Sequence, residues 1–176
     1  MTNNEIVRAR SIGVGILSRE DAIAYSTAGP VMRASGVQYD VRRAEPYSYY
    51  AHLDFDIPVR FNGDIYDRYL IRMDEMRQSL RILEQVLPHI KATKGAPILS
   101  GKPQYAIRMP NAGESYGRVE NPKGELGYYV TTRRRESNPD RYHVRAPSFI
   151  NLTPLGKMCE GHKVADVVAI LGSIDI

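Results

Sequence analysis

The strongest constraint on this chain is a run of apolar side chains at helical spacing. Ile65, Tyr66, Tyr69, Leu70, Met73, Met76, Leu80, Leu83 and Leu87 stand mostly three or four residues apart, with no Gly or Pro among them. The spacing predicts one continuous amphipathic helix from about Asp64 to about Leu87, stopped near Pro88. Leu70, Met73, Leu80 and Leu83 are expected on one buried stripe. At ~1.5 Å per residue such a helix reaches roughly 35 Å. A chain of 176 residues is too small to cover it alone, so the helix is expected to come from a helical bundle.

The flanking text is more broken. Ser18 with Asp21 three residues on reads as an N-cap and first turn, leading into Ala22, Ile23, Ala24 and Tyr25, with Gly29-Pro30 as the stop. From there to about Asn62 the chain reads as irregular, apart from an alternating stretch at 55–59 that fits one short edge strand because Pro58 removes a ladder donor. A loop holding Gly95, Pro97, Gly101 and Pro103 follows the long helix. Beyond it the period changes to two. Residues 116–120 and 125–130, joined through Asn121-Pro122-Lys123-Gly124, predict a hairpin, and 142–145 a third antiparallel strand. Arg145-Ala146-Pro147-Ser148 reads as a polar turn ending that strand. Thr153-Pro154 marks an N-cap with Pro at the first helical position, and 164–171 predict a last helix. The fold class is α+β: a long helix, a small antiparallel sheet and C-terminal helices. Residues 1–176 read as a single region with segments at 1–62, 63–110, 111–150 and 151–176.

Composition removes several function classes. With 43% hydrophobic and 25% charged residues the chain is neither disordered nor collagen-like. Its apolar stretches fall far short of the roughly 20 residues of a membrane span, and the first residues do not read as a signal peptide. A membrane would be met only through partners. The single Cys159 excludes an internal disulfide and a multi-cysteine metal site made by this chain alone. The net charge of +4 is spread over 24 basic and 20 acidic residues, so no nucleic-acid partner is expected, and Arg133-Arg134-Arg135 reads as a solvated loop.

Catalytic vocabulary is sparse. Gly13-Val14-Gly15 lacks the third glycine of a dinucleotide fingerprint and reads as a turn. The stretch from Gly95 to Gly101-Lys102 is one residue too long for a phosphate loop, with Pro103 where a magnesium-binding hydroxyl is needed. His52, His89, His143 and His162 show no ligand spacing. Lys123 at a hairpin tip and Ser148 in a turn both fit ordinary surface roles. Asp175 has no obvious structural task, because acids are unfavourable near a helix C-terminus.

Several ordered motifs carry a resemblance. Thr27-Ala28-Gly29-Pro30-Val31-Met32-Arg33-Ala34-Ser35-Gly36, Tyr39-Asp40-Val41-Arg42, Tyr66-Asp67-Arg68-Tyr69, Glu75-Met76-Arg77-Gln78-Ser79-Leu80, Gly124-Glu125-Leu126-Gly127-Tyr128-Tyr129, Arg145-Ala146-Pro147-Ser148-Phe149 and the stretch 164–176 cover most of the chain. In this order they resemble the D-subunit family of NADH-quinone oxidoreductase, respiratory complex I, which is related to the large subunit of nickel–iron hydrogenases. The resemblance implies a hydrogenase large-subunit-like fold and a C-terminal part of a larger subunit. It implies a place in the quinone-reducing module, peripheral on the cytoplasmic face of the inner (plasma) membrane, with electron transfer coupled to ion translocation elsewhere.

It implies quinone as substrate, and no metal or cofactor bound by this chain. NADH, FMN and iron–sulfur clusters would belong to partner subunits, including iron–sulfur proteins. In the hydrogenases a Pro-Arg-Gly turn, a Pro-Ser or Pro-Thr step and a C-terminal Asp-Pro-Cys motif surround the metal. Pro122-Lys123-Gly124, Pro147-Ser148 and Asp175-Ile176 match these places, with Lys for Arg and Ile for Pro. Lys123, Ser148 and Asp175 are thereby implied to line or support the quinone cavity, the vestige of the metal pocket, with no catalytic residue in this stretch. Two features depart from the family. Its quinone-facing His and Tyr lie in an N-terminal half that this sequence lacks, and residues 91–113 are shorter and richer in Gly and Pro than usual. Two other readings fit the same residues: a large-subunit piece of a membrane-bound energy-converting hydrogenase, and an interaction scaffold with no site.

Overall fold

The computed structural model describes residues 2–99, 101, 112–133 and 136–175. Eight α-helices, a short 3-10 helix at Tyr50–His52 and one three-stranded sheet are found among them. The long helix, α5, runs Ile65–Ala92, preceded by α1 (Glu5–Ala9), α2 (Arg19–Ala24), α3 (Gly29–Ala34) and α4 (Val41–Ala44). The sheet follows as β1 (Gly113–Asn121), β2 (Gly124–Thr132) and β3 (Arg141–Arg145), and the chain closes with α6 (Pro147–Asn151), α7 (Leu155–Cys159) and α8 (Val164–Ile174).

The mixed α+β class holds, and the caps explain most boundaries. Ser18 accepts from Asp21 N and starts α2 as expected. Asp64 starts α5 by accepting from Asp67 N at 2.8 Å, and its second oxygen takes Gly13 N, also at 2.8 Å. That second bond fastens the turn at Gly13 to the head of the long helix. The hairpin register pairs Asn121 with Gly124 across the two-residue turn Pro122-Lys123, and β3 joins β2 antiparallel.

Four expectations about where elements begin and end need correction. Gly29-Pro30 opens α3 instead of stopping α2, because Pro is tolerated in a helix's first turn, where its missing N–H has no intrahelical partner. Pro147 does the same for α6, so the Pro-Ser step is a helix start and not a plain turn. Thr153 does not cap α7; its hydroxyl donates back to Ile150 O, and Pro154 holds the cap position. Finally, α5 passes through Pro88 and ends at Ala92. The carbonyl that Pro88 leaves without its helical donor lies at exposed Glu84, where water can satisfy it.

The stretch 55–59 pairs with no strand among the described residues. It lies extended along α5, where Gln85 and Gln78 accept from Asp54 N and Asp56 N at 2.8 and 3.0 Å. The glutamine side chains thus do the work of a strand partner.

The core gathers Leu17, Ala22, Val31, Met158, Ile170 and Ile174, with Val14, Ile65 and Leu155 against it. The α5 face turned toward α3 and α8 is largely polar, with buried Asp67 and Arg68 beside Ile71. Fully buried Arg68 donates to Gly63 O, Gly15 O and Ser173 Oγ at 2.7, 2.9 and 2.9 Å, tying the head of α5 to α8 and to the glycine turn. Burial, helped by the charge of Arg72, pushes its pKa down to about 10, so it stays cationic at neutral pH.

The expected buried stripe is therefore misplaced. Leu70 and Met73 are half-buried, while Leu80 and Leu83 are 60% and 54% exposed. No helix among the described residues is long and apolar enough to cross a membrane.

Candidate functional site

The turn that carries Lys123 is fixed by close backbone contact. Gly29 and Gly124 both have positive φ, 62° and 125°, and lie back to back. A Cβ on Gly29 would come within 2.5 Å of Lys123 O, and one on Gly124 within 2.6 Å of Gly29 N. Only glycine allows that approach. Buried Asn151, at the end of α6, completes the joint. Its Oδ1 accepts from Ala28 N at 2.8 Å, and its Nδ2 donates to Ala28 O at 3.1 Å and to Lys123 O at 3.4 Å. The hairpin tip, the start of α3 and α6 thus form one unit.

Asp175 reaches the same place from α8. It is the C-cap, in the left-handed conformation at φ 65°, which turns its side chain out of the helical path. Its Oδ1 lies 3.6 Å from Lys123 Nζ and its Oδ2 lies 3.8 Å from Arg72 Nε. Arg72 is set by donating to Ser173 O at 2.7 Å and Arg68 O at 3.1 Å. Lys123 and Asp175, expected near one another, are brought together at the surface. Ser148 is half-buried on α6, the helix that clamps the turn, and its side chain makes no hydrogen bond to Lys123 or Asp175.

Reading the sequence missed the polar groups behind this pair. Arg33, 2% exposed, donates through Nε to Glu75 Oε1 at 2.7 Å and through NH1 to Glu120 Oε1 at 3.0 Å and Tyr39 O at 3.0 Å. Burial pushes the carboxyls of Glu75 and Glu120 above the ordinary glutamate value, although Arg33 pulls each back. For Asp40, burial acts upward, but the Arg42 guanidinium holds it with bonds of 3.0 and 2.7 Å and, with Arg33, keeps it below its ordinary value. Across the hairpin, buried Glu125 accepts from Tyr39, Tyr116 and Arg118 at 3.0, 3.2 and 3.2 Å, with Arg145 at 3.8 Å. Burial and the bond to Glu125 raise the Tyr39 phenol to about 12, so it remains a donor. No group of His, Cys, Asp and Glu suited to a metal ion is found among the described residues.

Comparison with known proteins agrees with the motifs. The sequence model of the family described as respiratory-chain NADH dehydrogenase, 49 Kd subunit, matches residues 1–111 and 102–176. The first-numbered D subunit of NADH-quinone oxidoreductase from Roseiflexus sp. (strain RS-1) is 58% identical over 179 residues, covering 100% of this chain and 48% of the relative. The second-numbered D subunit from Herpetosiphon aurantiacus is 51% identical over 100% of the chain and 47% of its own length. The D subunit from Dehalococcoides mccartyi is likewise 51% identical, over 100% of the chain and 46% of its own length. The chain belongs to the family of the 49 Kd subunit of respiratory-chain NADH dehydrogenase. It spans about half the length of the curated relatives it matches.

Proposed function

We propose that the chain is part of the quinone-reducing module of NADH-quinone oxidoreductase, and that Lys123 and Asp175, supported by the helix bearing Ser148, stand at the inner end of the quinone cavity. The hydrogenase-like fold belongs to the same proposal. Electrons from NADH would arrive through FMN and iron–sulfur clusters held by partner subunits. Ion translocation would occur elsewhere in the complex, with this subunit peripheral on the cytoplasmic face of the membrane. The names of the relatives support the assembly. The observation that carries the site is the 3.6 Å approach of Lys123 Nζ to Asp175, two residues on separate elements and 52 positions apart.

A quinone becomes a quinol by taking two electrons and two protons, so its oxygens gain negative charge and then hydrogen. A lysine ammonium supplies both a positive field and three donor hydrogens. Asp175 orients that ammonium, and Arg72 holds Asp175 in place. In the intact complex, Lys123→Met is expected to lower quinone reductase activity about tenfold or more. NADH oxidation by an artificial acceptor should remain unchanged, because only the quinone end is disturbed. Normal quinone reduction by an assembled variant would leave Lys123 as an ordinary turn lysine.

A further inference from the structure

The outward arc of α5 is spaced more strictly than a surface helix requires. From Met73 the apolar positions Met76, Leu80, Leu83, Leu87 and Ile90 follow in alternating steps of three and four residues without a break. Two apolar positions in every seven make the narrow seam of a helix pair, not the broader stripe of a helix lying on a globular core. Tyr66 and Tyr69 continue the seam toward the head of α5, and there this chain covers it. The Tyr66 hydroxyl donates to Thr2 O, and the Tyr69 hydroxyl bonds the Thr2 hydroxyl, both at 3.0 Å. Beyond half-buried Met73 the cover stops. Met76, Leu80, Leu83, Leu87 and Ile90 are each more than half exposed.

The charges at the margin of this open stretch fit a second copy of the same helix. Arg77 and Glu84 directly follow Met76 and Leu83 along one margin. When two copies of the stretch 73–90 lie antiparallel, Met73 meets Ile90, Met76 meets Leu87 and Leu80 meets Leu83. Every layer is then apolar, and the same register sets Arg77 of each copy beside Glu84 of the other. A parallel register instead sets Arg72 against Arg77 on both sides of the seam, which is repulsive. Glu84 is exposed and has no ion-pair partner among the described residues. Arg77 shares Asp74 with Arg60, so it can turn to the seam without leaving that carboxylate alone.

We propose that two copies of this chain pair antiparallel through the α5 seam, Met73 to Ile90 of each, with two Arg77–Glu84 ion pairs at its margin. At ~1.5 Å per residue the seam is about 26 Å long. With the flanking methylenes, two such seams cover on the order of 1,000 Å², where specific interfaces begin. The dimer is therefore reversible, and its population follows concentration. The apolar layers supply the affinity, and the exposed ion pairs select the orientation.

The test is sedimentation of the 176-residue chain over a concentration series, beside charge-swapped variants. Arg77→Glu and Glu84→Arg each turn two attractive pairs into two repulsive ones. Each is expected to raise the dimer dissociation constant about tenfold. An equimolar mixture of the two variants restores both pairs and should return the constant close to that of the parent. A parallel dimer responds in the opposite sense, because Arg77→Glu relieves its clash with Arg72. Circular dichroism of the dilute variants should match the parent, since neither side chain reaches the core. Four results would each overturn the proposal: a tighter Arg77→Glu dimer, two weakened variants that mixing does not rescue, association that survives Leu80→Glu with Leu83→Glu, or a monomer at every concentration.

Discussion

Asn151 satisfies both backbone polar groups of Ala28 and reaches Lys123 O, from a position out of reach of solvent. Asn151→Ala leaves a buried N–H and a buried C=O without partners, at a cost of about 2–4 kcal/mol. A urea unfolding curve should show it as a fall in midpoint, and an unchanged midpoint would mean the joint is held by the glycine contact alone. Asp40 makes a pH-dependent contribution of definite sign. Its folded carboxyl lies below the ordinary 3.8, so its stabilisation is fully present above that value and is lost as pH falls through the folded one. Glu75 and Glu120 work in the opposite direction, favouring the folded chain on the acid side of the ordinary 4.5 and losing that effect as pH rises through their raised values. Asp40→Asn should therefore be less stable than the parent at neutral pH, with the gap closing as pH falls below the ordinary 3.8. A gap that stays constant from neutral to acid would show that the carboxylate's charge plays no part.

Among the elements, α5 carries the most information. At about 100° per residue, Met73, Met76, Leu80, Leu83, Leu87 and Ile90 fall within an arc of about 100°, roughly opposite the arc of Asp67, Arg68, Ile71 and Glu75. The helix is amphipathic as read, but it packs here through its polar arc, using ion pairs and capping bonds, and leaves its apolar arc outward. The two arcs predict different responses to truncation. Ile71→Ala should cost about 2–5 kcal/mol, since Ile71 is fully buried. Leu80→Ala in the same chain should change stability by no more than about 0.5 kcal/mol, as at other exposed sites. Chemical denaturation of the two variants side by side decides it, and equal losses would mean that the apolar arc is covered.

Across the whole molecule, what local pattern encodes was readable and what distant packing decides was not. The period of α5, the Ser18 cap, the Pro122-Lys123 turn and the antiparallel order of three strands all follow from neighbours in sequence. The buried polar arc did not, because charges on a helix read as solvent-facing until another element covers them. Lys123 and Asp175 came from likeness to a family, and neither composition nor spacing gives a reason for them to meet. Arg33, Glu75 and Glu120 lie in or beside the hairpin and the motifs that carry the likeness, and only three-dimensional convergence joins them. The same convergence leaves two apolar surfaces uncovered. One is the outer arc of α5; the other is the sheet face that carries Val119, Tyr128 and Tyr142. Soluble monomers rarely expose apolar patches beyond a few hundred Å². The chain on its own should therefore bind an apolar fluorescent dye and associate as its concentration rises. Leu80→Glu together with Leu83→Glu should weaken both effects without lowering the unfolding midpoint, because neither side chain contributes to the core. Dye binding and sedimentation before and after that double substitution locate the surface responsible. A dye-negative monomer at high concentration would show that the outer arc of α5 is closed over by the chain itself.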